Sequence, residues 1–82
     1  MNKYLVEFIG SIFFIYVALA TNDALALGAT LAIIKMLYDG QFNPAITIAL
    51  TFAHKLPYSE TIPYILSQVA GGLVAFELYN RF

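Results

Sequence analysis

Apolar residues fall into three long blocks and one short one, separated by brief polar breaks. The long blocks cover about residues 4–20, 24–38 and 61–79, and the short one about 44–53. A transmembrane helix needs roughly 17–25 predominantly apolar residues, so the first block sits at the lower limit. The second is shorter, ~22 Å at 1.5 Å per residue, and suits a thinned or protein-lined region. The short block would be ~15 Å long, about half of a ~30 Å hydrocarbon core. The pattern predicts an all-α membrane protein, with three transmembrane helices and one re-entrant half-helix, in a single unit over residues 1–82.

The start of the short block carries the sharpest local signal. Asn43 is a favoured N-cap, and Pro44 suits the first helical position because its missing N–H would be unpaired there anyway. A helix that starts at mid-depth exposes N–H groups that lipid cannot satisfy, together with the positive end of its dipole. Both make sense if the tip faces a water-filled path, with the backbone carbonyls of Gly40, Gln41 and Phe42 as a row of acceptors before it. The plainer reading is an Asn-capped surface helix after an Asp39-Gly40 turn.

Other polar residues need places. Glu7, early in the first block, is either an interfacial carboxylate or a buried acceptor for the re-entrant segment. Gln68 falls inside the last block and needs a polar partner. Lys35 either snorkels to the interface or stands in a pore. His54 and Lys55 suit the C-terminal end of the short helix, His54 as a cap or surface residue. Ser59 reads as the N-cap of the last helix, with Glu60 in its first turn and Pro63 early enough to be tolerated. Gly28, with Ala24 and Ala32, offers a close-packing face, as do Gly71, Gly72 and Ala75. Tyr4, Tyr58, Tyr64 and Tyr79 lie near block ends, as interfacial or packing residues.

Composition narrows the function. Apolar residues make up 61 % and charged ones 11 %, more apolar than a chain this short can bury in its own core. The net charge of −1 gives no electrostatic case for nucleic acid. Without Cys and with one His, there is no thiolate metal site and little basis for an enzyme or a cofactor. Ala18-Leu19-Ala20 after a Lys3-led apolar run also fits a cleaved signal peptide; Glu7 and the apolar remainder count against it. Lys3 and Lys55 share one side and Arg81 lies on the other, a slight bias that puts the N-terminus of a multi-pass protein in the cytoplasm.

Three stretches resemble the major intrinsic protein family, the aquaporins and aquaglyceroporins. Glu7-Phe8-Ile9-Gly10-Ser11 is similar to the family's Glu-Phe-x-Gly-Thr opening. Gly40-Gln41-Phe42-Asn43-Pro44-Ala45-Ile46-Thr47 resembles Gly-His-Phe-Asn-Pro-Ala-Val-Thr, and Tyr64 to Gly72 resembles Tyr-Ile-x-Ala-Gln-x-x-Gly-Gly. The likeness covers the first of the family's two inverted repeats. It implies that Asn43 donates to a single-file water or glycerol hydroxyl, that Pro44 and Ala45 meet their counterparts tip to tip, and that Glu7 and Gln68 brace the loop. It adds Gly10 to the helix-packing glycines.

The departures count too. Gln41 replaces His, which leaves its carbonyl role intact. The link between the first two spans is short, and the second span lacks about a turn before the loop. The resemblance therefore implies Leu27 as the filter residue of this half if the gap lies after it, and Asp23 if there is none. A lone repeat cannot enclose the family's pore. Two functions follow. One is a channel for water or small neutral solutes such as glycerol, completed by an inverted copy, a partner membrane protein or a second repeat encoded elsewhere. The other is a non-conducting structural subunit of a membrane complex or virion membrane, kept for its helix-packing surface.

Overall fold

The computed structural model of the chain describes residues 2–82, and its ordered elements are all helical. In chain order they are α1 (Lys3–Ala20), α2 (Ala24–Leu37), α3 (Pro44–Phe52) and α4 (Tyr58–Arg81). Asn2 caps α1 by accepting from the Tyr4 N–H at 2.7 Å. Asp23 caps α2 by accepting from Leu25 N–H at 3.0 Å, and its own N–H is held by the Thr21 hydroxyl. Three residues, Thr21 to Asp23, therefore suffice to reverse the chain.

α3 stops in a Schellman arrangement, with Lys55 N–H donating to Leu50 C=O and His54 N–H to Thr51 C=O. His54 takes the left-handed position that glycine usually fills, at φ 60°. Its contribution to the cap is thus made by backbone rather than by the imidazole.

The start of α4 departs from the sequence expectation. The helix begins at Tyr58 with Pro57 as its cap residue, which makes no side-chain cap bond, and Ser59 lies inside the first turn. Pro57 already holds the extended backbone angle required before a helix, so Ser59 is not needed as the cap. Pro63 consequently sits in the second turn, where its missing N–H leaves the Ser59 carbonyl without its usual partner.

α1 and α4 pack in parallel along their length. Tyr4 meets Tyr64 edge-on at 5.3 Å, the Glu7 carboxylate meets Gln68 Nε2 at 3.1 Å, and Tyr16 meets Tyr79 at 6.3 Å. Gly71 permits this approach, since a Cβ there would stand 2.5 Å from the Phe8 carbonyl oxygen. α3 runs antiparallel to α4, with Thr51 opposite Thr61 and Thr47 opposite Gln68. α2 leans on α1 through a small cluster of Val6, Ile34 and Phe42. Gly72 makes only ordinary contact with Ile15, and nothing lies within 4 Å of a Cβ on Gly28. The Gly28 face is therefore not a packing surface between helices of this chain.

Polarity is inverted relative to a water-soluble fold. Glu7 and Thr47 are fully buried, while Leu25 and Met36 are 78 % and 84 % exposed. α1 and α4 are each long and apolar enough to cross a membrane, at ~27 Å and ~36 Å by the 1.5 Å rise. α2 at 14 residues is shorter.

The two glycine environments predict opposite outcomes. Gly71→Val is expected to lower stability by about 1–3 kcal/mol, because the backbone atom it meets cannot rotate away. Gly28→Ala, in open space mid-helix, is expected to raise it by up to ~1 kcal/mol. Thermal unfolding in detergent micelles, followed by circular dichroism, measures both.

Candidate functional site

The loop between α2 and α3 turns on one carboxyl group. Glu7 is fully buried on α1. Its two oxygens accept from Gln41 N–H at 3.0 and 3.1 Å and from Phe42 N–H at 3.2 and 3.4 Å. Two successive N–H groups thus converge on one acid, and Phe42, the second of the two residues, adopts φ 59°. This is the geometry of a backbone anion nest, and for a bulky residue it costs on the order of 1–3 kcal/mol.

The Phe42 ring fills what two glycines leave open. A Cβ on Gly10 would lie 2.1 Å from the ring, and one on Gly40 would lie 2.5 Å from it. Gly10 thus packs against an aromatic ring from the loop rather than against another helix. The carbonyl of Gly40 accepts from the Lys35 ammonium at 2.7 Å. Lys35 ties the end of α2 to the loop and is not free to reach only for the interface.

Behind the loop the polar cluster continues. Gln68 Nε2 donates to Glu7 Oε1 at 3.1 Å and to Thr47 Oγ1 at 2.7 Å. The Thr47 hydroxyl donates to Gln41 Oε1 at 2.5 Å. One turn on, the Thr51 hydroxyl donates to Thr47 C=O and lies 2.7 Å from Thr61 Oγ1. Ser11 Oγ and Gln68 Oε1 are buried without a partner among the described residues.

In front of the loop lies the tip of α3. Asn43 Oδ1 accepts from Ala45 N–H at 2.8 Å, which leaves the Asn43 amide NH2 as a donor on an exposed residue. Ala45 is exposed beside it and Pro44 is half-buried. Thr51 faces the start of α4 and Thr47 faces Gln68. Asn43, four residues before Thr47, therefore lies near the middle of the 24-residue helix.

The structure thus gathers Glu7, Gln41, Phe42 and Gln68 into one cluster, with Gly10 and Gly40 making room for it. Asn43, Pro44 and Ala45 stand apart at the tip, and Gly28 is remote from both. Thr47, Thr51 and Thr61 were not singled out from the sequence. The signal for the first two was present as a pair of hydroxyls one turn apart on an otherwise apolar short helix.

A buried polar brace, an apolar exterior and two helices long and apolar enough to cross a membrane fit the class of helical membrane proteins. The family model described as Major intrinsic protein matches residues 1–82. The chain belongs to this family, whose members are integral membrane proteins. It is 35 % identical to glycerol uptake facilitator protein-like 6 of Lactiplantibacillus plantarum, an alignment covering all of this chain and 44 % of that protein. It is 33 % identical to aquaporin-8 of Mus musculus, over 90 % of this chain and 34 % of the relative. Against aquaporin Z of Photorhabdus laumondii it is 43 % identical over 63 % of the chain and 24 % of the relative. The chain thus spans less than half the length of these curated relatives. No solved structure matches it.

Removing one acceptor oxygen tests the brace. Glu7→Gln turns an NH2 group toward the Gln41 and Phe42 N–H groups, and is expected to cost about 1–3 kcal/mol. Backbone hydrogen exchange at Gln41 and Phe42 should quicken at least tenfold. Breaking the exposed Lys3–Glu60 ion pair by Lys3→Ala should leave stability nearly unchanged and those two amides protected.

Proposed function

We propose that α3 is a re-entrant half-helix and that this chain supplies one half of a passive channel for water or small neutral solutes such as glycerol. One observation carries the reading: Asn43 presents an amide donor near the mid-height of α4, with its oxygen already committed to Ala45 N–H. At 9 residues, α3 spans ~13 Å, under half of a ~30 Å hydrocarbon core. A polar amide held at that depth needs an oxygen acceptor, and a water or a hydroxyl passing the tip provides one. The relatives named for glycerol uptake and as aquaporins support the same class of solute.

The other wall of the path comes from a second repeat, supplied by an inverted copy of this chain or by a partner membrane protein. Inverted repeats meeting at the midplane are a recurrent way to build such a site. Residues 1–82 act as one half-repeat, with Glu7 and Gln68 bracing the loop, the carbonyls of Gln41 and Phe42 lining the approach, and Pro44 and Ala45 meeting the opposite tip. Lys3 and Lys55 lie toward one end and Arg81 toward the other, which favours a cytoplasmic N-terminus.

A second reading draws on the 14 residues of α2, ~21 Å of helix against a ~30 Å core. Here the repeat is a non-conducting structural subunit and Asn43 is capped by a neighbouring protein.

Stopped-flow swelling of vesicles containing the purified chain separates the two. The channel reading expects water and glycerol permeability well above that of empty vesicles. Asn43→Asp keeps an oxygen cap for α3 but removes the amide donor, and should reduce flux tenfold or more at unchanged helicity. Permeabilities equal to those of empty vesicles would favour the structural reading.

A further inference from the structure

The hydrogen bonds behind the loop have a direction, and it is set at Glu7. The carboxyl group there acts as an acceptor, so Gln68 must turn Nε2 rather than Oε1 toward it. The second hydrogen of Nε2 goes to Thr47 Oγ1 at 2.7 Å. The Thr47 oxygen is thereby an acceptor, and its single hydroxyl hydrogen is left to donate. It meets Gln41 at 2.5 Å, a separation that belongs to O–H···O bonds and is too short for N–H···O. The group of Gln41 that faces Thr47 is therefore the carbonyl oxygen. The same ordering accounts for the stranded Gln68 Oε1, because the two bonds from Nε2 fix the amide with its oxygen turned away from Glu7 and Thr47.

We propose that Gln41 is a positioning residue, the obligatory and non-titrating acceptor that closes this relay, and that it adds no protonation step of its own to the locking of the loop. Its backbone N–H and its side chain bind the same cluster from two sides. Through the N–H it is fixed to Glu7, and through Oε1 to α3. The position thus requires an acceptor, not merely a polar side chain. A neutral histidine retains a ring nitrogen that can accept, whereas a protonated one has only donors. The charged and titratable groups around the site are Glu7 on α1, Lys35 on α2 through Gly40 C=O, and Asp39 in the loop itself. α3 and α4 face it with the neutral Thr47 and Gln68.

The proposal refines the channel reading but can be tested apart from it. Unfolding of the full chain in detergent micelles is followed between pH 5 and 8 for wild type, Gln41→His and Gln41→Met. Any pH slope common to all three is subtracted as background. Gln41→Met is expected to be weaker than wild type, with no added slope. Gln41→His is expected to match wild type above pH 7 and to weaken as the pH falls through ~6.5, the ordinary imidazole value. The sign follows from the acceptor role: the folded loop needs the neutral ring, so the unfolded chain binds more protons and stability falls with pH. The loss should approach ~30-fold in the folding equilibrium at pH 5, one and a half units below that value.

Thr47 provides the control for simple charge effects. The added slope should persist in Thr47→Ser/Gln41→His, which keeps the hydroxyl donor, and disappear in Thr47→Val/Gln41→His. A slope present in both doubles would arise from nearby charges and overturn the proposal. So would a Gln41→His profile no steeper than that of wild type. Vesicle swelling by the wild-type chain reports separately on the channel reading, and absence of flux would sink that reading while the unfolding series still decides the role of Gln41.

Discussion

The constraint on which the structure depends is the need to satisfy two backbone N–H groups in a loop surrounded by apolar helices. Glu7 meets it by setting both oxygens against Gln41 and Phe42. An unpaired buried N–H costs about 1–3 kcal/mol, so a loop here without an acceptor would not hold a single form. The remedy brings its own costs. It buries an acid beside a residue, Phe42, held at a positive φ, and it leaves Gln68 Oε1 without a partner among the described residues. Local contacts offset part of this: the Phe42 ring fills the space at Gly10 and Gly40, and Gln68 Nε2 donates to both Glu7 and Thr47.

The same acid fixes the depth of α3. Because α1 and α4 are parallel and joined at Glu7 and Gln68, whatever Glu7 holds lies at the level of Gln68. The loop is held there, and α3 can only run back along α4 from that level, as the Thr47–Gln68 and Thr51–Thr61 contacts record. The short helix therefore starts near the middle of the long one for a chemical reason, not as an accident of length. The Gly71 contact contributes by bringing α1 close enough for the acid to reach.

Much of this was legible wherever a residue was out of keeping with its surroundings. Glu7 and Gln68 are conspicuous because a carboxyl and an amide inside apolar blocks need partners, although Glu7 left two readings open until its partners were known. Asn43-Pro44 announced a helix start because both residues suit that position by backbone chemistry alone. What stayed hidden was what depends on neighbours. Threonine is compatible with an apolar helix, so Thr47, Thr51 and Thr61 carried no visible demand until α3 lay against α4. Gly28 and Gly71 look alike in sequence, yet only one has a helix against it. Phe42 suggested a carbonyl and gave no hint that its ring would explain two glycines. Ser59 was the better capping residue in isolation and lost to the fixed backbone of Pro57.

What remains at the tip of α3 is a small and one-sided demand. A helix start ordinarily leaves four N–H groups without intrahelical partners. Of the four here, Pro44 has none to leave and Asn43 Oδ1 takes that of Ala45, while Thr47 N–H already makes the first intrahelical bond, to Asn43 C=O. What is left is the backbone N–H of Asn43 and of Ile46 and the Asn43 side-chain NH2, donors without an acceptor among them. Such a surface selects for oxygen acceptors and against cations, since the positive end of the helix dipole points the same way. On the channel reading, exclusion of cations is thus a property of the tip itself, before any second repeat adds its own wall.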